Sequence, residues 1–314
     1  MALPAIVSYP MPGASDLPEN KVSWTPDPKR AVLLIHDMQR YFVDAFTAGE
    51  SPIVELLANI KLLKNQCAQL GIPVVYSAQP GGQTPEQRGL LQDFWGSGIN
   101  DGPYQKQIVE ELAPDEHDIQ LTKWRYSAFR KTNLLEIMQE RGRDQLIVCG
   151  IYAHIGCLLT TCEAFMQDIE PFFVIDAVAD FSWENHKMAM TYAAQRCAVT
   201  TTTRSLLDEL NKKQSGQEEA AAATDLGLLT LELVREHIAQ ILYESPSDIA
   251  DSDDLINDRG LDSVRIMSLV EKWRRSGIEV TFVELAERPT LIEWWELLSS
   301  RQQQAIPNID YYAL

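Results

Sequence analysis

Six short apolar runs set the strongest limit on what this chain can fold into. They are Ala31–Met38, Pro73–Gln79, Ile119–Lys123, Gln145–Tyr152, Phe172–Ala177 and Ala198–Thr203, with helix-period segments between them. Strands that stay apolar along their length are buried on both faces, so the alternation predicts an α/β domain with a mainly parallel sheet between helical layers. Ser51, Pro52 and Gly71 mark the cap, first turn and end of a helix joining the first two runs, which makes a βαβ unit. Further helices are expected around Leu134–Arg141, Leu158–Gln167 and Glu184–Arg196.

The pattern stops at residues 212–224, KKQSGQEEAAAAT, which hold almost no large apolar side chain. Such a stretch gains too little by burial to offset its ordering entropy, although its alanines favour helix. The expected organisation is an α/β domain over residues 1–211, a linker over 212–226, a small domain over 227–303 and a tail over 304–314. The small domain is wholly helical in pattern, with helices expected at Leu228–Tyr243, Val264–Arg275, Thr281–Leu285 and Leu291–Arg301. Four short helices of this kind form a bundle.

Charge excludes one class of partner. The chain carries 27 basic and 45 acidic side chains, a net −18. Residues 225–314 hold 8 basic against 17 acidic (−9), and residues 1–224 hold 19 against 28 (also −9), so the small domain is far more acidic per residue. General nucleic-acid binding rests on clustered cations and is not expected. The start of the chain lacks a basic leader, and no apolar run approaches the roughly 18 residues of a membrane span, so a soluble cytoplasmic protein is expected. Five cysteines without CxxC spacing read as reduced thiols, and the five histidines show neither HxxxH nor HExxH spacing, so no metal is expected.

In an open parallel sheet, ligands sit beyond the carboxyl ends of the strands. The polar residues closing the runs are therefore the candidates: Asp37, Gln79, Lys123 and the turn Tyr152-Ala153-His154-Ile155-Gly156-Cys157. Asp37 reads either as a half-desolvated proton donor or as the cap of the next helix, and Lys123 either as its cationic partner or as a solvated lysine. Cys157, at a helix start, reads either as an activated thiol or as buried packing. No GxGxxG or GxxxxGK[ST] motif is present, so a nicotinamide cofactor is not expected. In the small domain, Gly260-Leu261-Asp262-Ser263 places a serine where a loop enters a helix; Asp262 or Ser263 can cap it, or the hydroxyl can be an attachment point.

Through Ala31–Met38 with Asp37, Gln79, Lys123 and the Gly150–Cys157 turn, the large domain resembles the isochorismatase-like hydrolases, which implies a Rossmann-like three-layer fold. Through Gly260–Ser263, Phe282–Leu285 and Arg288-Pro289-Thr290, the remainder resembles acyl or aryl carrier domains. Their order is that of the bifunctional isochorismatase/aryl carrier proteins of catecholate siderophore biosynthesis, with a likeness to the bacillibactin-pathway members. Most hydrolases of the family place a cysteine six residues after the glycine equivalent to Gly150. Here that position is Gly156, and Cys157 lies one residue, or about 100° of helix turn, further on.

The resemblance implies hydrolysis of the enolpyruvyl ether of isochorismate to 2,3-dihydro-2,3-dihydroxybenzoate and pyruvate. Asp37 would be the general acid, Lys123 its partner, and Gly156 would give the substrate room. Phe42, Gln79, Arg88, Trp95 and Tyr152 would line the pocket, with Arg88 clamping a carboxylate. Ser263 would receive 4′-phosphopantetheine from a phosphopantetheinyl transferase. A 2,3-dihydroxybenzoate-AMP ligase would load that arm, and a nonribosomal peptide synthetase condensation domain would unload it. Val264, Met267 and Phe282 are candidate docking positions, the last two equally readable as core. Self-association through the hydrolase domain is also implied. Two other readings remain open: a Cys157-dependent amide hydrolase, and a non-catalytic scaffold and carrier.

Overall fold

The computed structural model describes residues 3–225, 229–242, 244–275 and 278–305. The chain divides into two compact units, Met1–Gln214 and Ser215–Leu314.

The first unit is built on strands β1 (Ala31–His36), β2 (Val74–Ala78), β3 (Ile119–Thr122), β4 (Gln145–Ile151), β5 (Glu170–Ala179) and β6 (Val199–Thr201). All neighbours pair in parallel, in the order β3-β2-β1-β4-β5-β6. The helices are α1 (Arg40–Val43), α2 (Ile53–Gln69), α3 (Pro85–Arg88), α4 (Leu91–Trp95), α5 (Pro103–Lys106), α6 (Leu134–Glu140), α7 (Leu158–Phe165), α8 (Trp183–Arg196) and α9 (Thr203–Asp225). Alternate residues of β1 feed two cores. Leu33 and Ile35 pack with Leu56, Ile60 and Leu63 of α2, and Val32 and Leu34 pack with residues of α6, α7 and α8. The expected three layers are therefore present. Strand order reverses about β1, so the crevice between the ends of β1 and β4 is where such a fold binds ligands.

One local expectation is corrected. Ser51 does not cap α2: Pro52 is the cap residue, and the Ser51 hydroxyl accepts from the Met11 N–H instead. The stretch expected as a linker takes the helical form its alanines allowed, through Asp225 as part of α9. Its alanine, glutamate and glutamine residues are good helix formers, and one glycine does not cancel that preference.

The second unit contains α10 (Leu231–Leu242), α11 (Ser263–Arg275), α12 (Phe282–Ala286) and α13 (Leu291–Ala305). Trp273 and Trp294 meet edge to face at its centre, ring centroids 6.1 Å apart, among Val234, Ile238, Leu269 and Leu298. Of the expected tail over 304–314, the first two residues are the last of α13, and residues 306–314 lie outside the described residues. Among the described residues no helix is long and apolar enough to cross a membrane.

Candidate active site

At the end of β1 the backbone turns sharply. Asp37 takes φ of +50°, its N–H donates to Ser77 O, and its carbonyl accepts from Gln39 N. Aspartate tolerates this left-handed conformation better than most residues. The turn carries the carboxylate into the crevice, 4% exposed. Its Oδ2 receives Lys123 Nζ at 2.9 Å and Gln79 Nε2 at 3.1 Å, and its Oδ1 receives the Ser77 hydroxyl at 3.2 Å. Lys123, 2% exposed, also donates to Arg125 O at 2.8 Å. The alternative of a capping aspartate is thereby removed: the residue at the start of α1 is Gln39, and no side chain caps it.

A recess opens in front of this pair. Its lining includes Asp37, Phe42, Gln79, Arg88, Trp95, Lys123, Tyr152 and Gly156, so every residue proposed for the hydrolase site from sequence reaches the same cavity. Gln79 does more than line it, since it also holds the carboxylate of Asp37. Arg88 is 3% exposed; its Nε donates to Gly96 O at 2.9 Å, and among the described residues no carboxylate pairs with it. A side chain at Gly98 would strike the guanidinium, so glycine is required there for Arg88 to lie across the recess. Trp95, Phe181 and Tyr152 form a stack along one wall, with centroids 6.1 and 4.0 Å apart.

Sequence reasoning missed Ser77, Tyr126 and Phe181. Ser77 is the one polar residue facing Asp37 from β2, Tyr126 accepts the Trp95 indole N–H at 2.7 Å, and Phe181 lies beyond the end of β5. A serine inside an otherwise apolar run was the only available signal among the three.

Cys157 takes no part. Its side chain is fully buried in the core between the sheet and α6–α8, absent from the lining of the recess, and burial pushes its thiol well above the ordinary range. The opposite was expected of an activated thiol, and the amide-hydrolase reading loses its nucleophile. At Gly156 itself, a Cβ would lie 2.1 Å from Cε1 of His36.

In the second unit, Asp262 caps α11 by accepting from Arg265 N at 2.9 Å. Ser263 is left exposed in the first turn. On the same helix Val264 and Met267 are 73% and 52% exposed, and on α12 Val283 is 60% exposed, whereas Phe282 packs against the core. Of the two readings of Met267 and Phe282, surface holds for the first and core for the second.

Each unit matches a known family. The model of the isochorismatase domain matches residues 31–205, and that of the phosphopantetheine attachment site matches residues 232–298. A Bacillus subtilis protein named isochorismatase is 65% identical over 312 residues, covering 99% of this chain and all of that one. Enterobactin synthase component B of Escherichia coli is 45% identical, covering 95% of this chain and 99% of its own. Among solved structures, a cysteine hydrolase from Pseudomonas syringae superposes with a TM-score of 0.55 at 20% identity, over 61% of this chain and 97% of its own, which shows the fold alone. With the domain model matched across more than half of its length and a full-length relative at 65% identity, the chain belongs to the isochorismatase family, joined to a phosphopantetheine attachment domain.

Proposed function

We propose that the protein hydrolyses the enolpyruvyl ether of isochorismate and carries an activated 2,3-dihydroxybenzoyl group as a thioester at Ser263, serving catecholate siderophore synthesis in the cytoplasm. The observation that carries the hydrolase reading is the buried Asp37–Lys123 pair at 2.9 Å, facing a recess whose position 156 holds no nucleophile. A vinyl ether needs an acid rather than an attacker. Asp37 gives its proton to the methylene carbon of the enolpyruvyl group, whose π electrons form the new C–H bond and leave an oxocarbenium ion at the ether carbon. Water adds to that carbon and returns a proton to Asp37. The hemiketal then collapses: the ether C–O bond breaks, the hydroxyl proton passes to the departing oxygen, and pyruvate and the dihydrodiol leave.

Lys123, Gln79 and Ser77 are already aimed at the carboxylate left when Asp37 gives up its proton, so stabilising it requires no reorganisation. Arg88 offers its planar fork to a substrate carboxylate. The Trp95–Phe181–Tyr152 wall shields the cation from bulk water.

The Ser263 hydroxyl, exposed and relieved of capping by Asp262, fits covalent attachment of 4′-phosphopantetheine, which supplies a terminal thiol on a flexible arm. The exposed Val264, Met267 and Val283 then meet the transferase, the aryl-AMP ligase and the condensation domain in turn. Asp37→Ala tests the two halves together. It should lower pyruvate release from isochorismate by roughly 10²–10⁴-fold while Ser263 still accepts phosphopantetheine from coenzyme A by intact mass. Near-native hydrolysis would remove Asp37 from the acid role.

A further inference from the structure

His36 is the residue before the acid, yet it does not line the recess: its side chain is fully buried behind Asp37. Nδ1 lies 3.0 Å from Ile151 O, at the end of β4, and Nε2 lies 3.3 Å from Tyr126 O, in the loop after β3. The same Tyr126 carbonyl is 3.5 Å from Lys123 Nζ, and Ile151 precedes the Tyr152 that walls the pocket. One ring thus touches the three segments that deliver Asp37, Lys123 and Tyr152. Its open edge faces Gly156, where a Cβ would lie 2.1 Å from Cε1, 2.8 Å from Nε2 and 2.9 Å from Nδ1. Any side chain at 156 would therefore have to displace a ring that cannot yield without breaking its contacts to both carbonyls.

We infer that His36 is the positioning residue of this site: its imidazole fills the space a side chain at 156 would need and ties the end of β4 to Asp37. His36 and Gly156 are one steric unit: a side chain can be added at 156 only where the ring at 36 gives up its place. Burial supports a neutral ring, lowering its pKa to about 4 against the pull of Asp37. A neutral ring donates to one carbonyl only, and the shorter contact assigns that bond to Nδ1 and Ile151.

The inference rests on the proposed hydrolysis for its kinetic part, and its steric part stands apart from it. The test is a cycle of Gly156→Ala, His36→Asn and the double variant in the full chain, read by thermal unfolding and by kcat and KM for pyruvate release. Asparagine keeps a donor near the position of Nδ1 and vacates the edge that faces residue 156. Gly156→Ala should lower kcat by about 100-fold or more, as small displacements of reacting groups do, together with a drop in Tm. His36→Asn should lower kcat about tenfold with KM within about threefold, since Arg88 is untouched and only the positioning of the acid is lost. The double variant should recover both Tm and kcat relative to Gly156→Ala, a non-additivity expected only of residues in contact. If Gly156→Ala does not fold, recovery of cooperative unfolding in the double variant supports the pairing, and its absence overturns it. A native-like Gly156→Ala, or strictly additive effects, also overturns it. Failure of the native chain to release pyruvate overturns the proposed hydrolysis instead, leaving the Tm cycle to decide the pairing.

Discussion

Arg88 is a cation almost wholly out of water, with burial lowering its pKa and backbone carbonyl and glutamine contacts in place of a carboxylate partner. Such a group waits for an anion, and replacing the fork with a single ammonium loses one of two parallel bonds. Arg88→Lys is expected to raise KM for isochorismate by roughly 10–100-fold, the scale of a lost hydrogen bond to a charged group, with a smaller change in kcat; steady-state pyruvate assays distinguish the two. Cys157 makes the opposite case. Its thiol is packed among Ala153, Leu158 and Phe173 and held in the protonated form by burial, so Cys157→Ala should leave kcat within about threefold while lowering Tm slightly, as loss of a small buried group does. Loss of turnover at native-like Tm would reinstate the thiol.

At the scale of elements, the close approach of β1 and β4 sets the geometry of the crevice. Gly150 sits in β4 with φ of +113°, and a Cβ there would lie 2.1 Å from His36 O. Backbone, unlike a flexible side chain, cannot give way, so Gly150→Ala should cost roughly 2–4 kcal/mol, measurable as a lower urea midpoint at an unchanged slope. The start of α8 is a milder case: Ser182 Oγ accepts from Asn185 N, and Ser182→Ala should cost about 1 kcal/mol. Strand positions were legible because a doubly buried strand must be apolar throughout. Caps were less so. Ser51 has the right residue type one place too early for α2, and its hydroxyl is taken by the N-terminal segment, a partner no local pattern reveals. The opposite holds at α11, where Asp262 and Ser263 were indistinguishable until the hydrogen bond to Arg265 N assigned the cap.

The whole molecule carries a pH dependence in its buried imidazoles. His186 pairs with the Tyr9 hydroxyl through Nδ1 (3.1 Å) and with Ile175 O through Nε2 (2.9 Å), and burial lowers its pKa to about 4, which keeps the ring neutral near pH 7. His36 is lowered likewise, to about 4. Because the folded pKa lies below the ordinary value, the unfolded chain takes up protons first as pH falls. The stabilisation is complete above about pH 6.5 and is lost progressively toward pH 4, by at most about 1.4 kcal/mol per pH unit for each ring. Tm should therefore be flat near neutrality and fall across that window, and His186→Gln should lower Tm at pH 7 yet flatten the slope; an unchanged slope would refute the assignment. In the second unit, His237 accepts the Trp273 indole N–H at 3.1 Å and is lowered to about 4 by burial and by Lys272, so the helical bundle shares the acid limb.

The sequence by itself determined the architecture and the chemical inventory: a parallel sheet from uniformly apolar runs, polar residues at the strand ends, and a serine at a helix entrance. These are short-range properties, fixed by periodicity and by residue type at a position. Tertiary structure alone decided which groups meet. Gln79 is drawn onto Asp37, Phe181 completes the aromatic wall, and the ring of His36 fills the space beside Gly156. Those contacts join residues far apart in the chain, and they exist only because strand order places the carboxyl ends of β1 to β5 side by side.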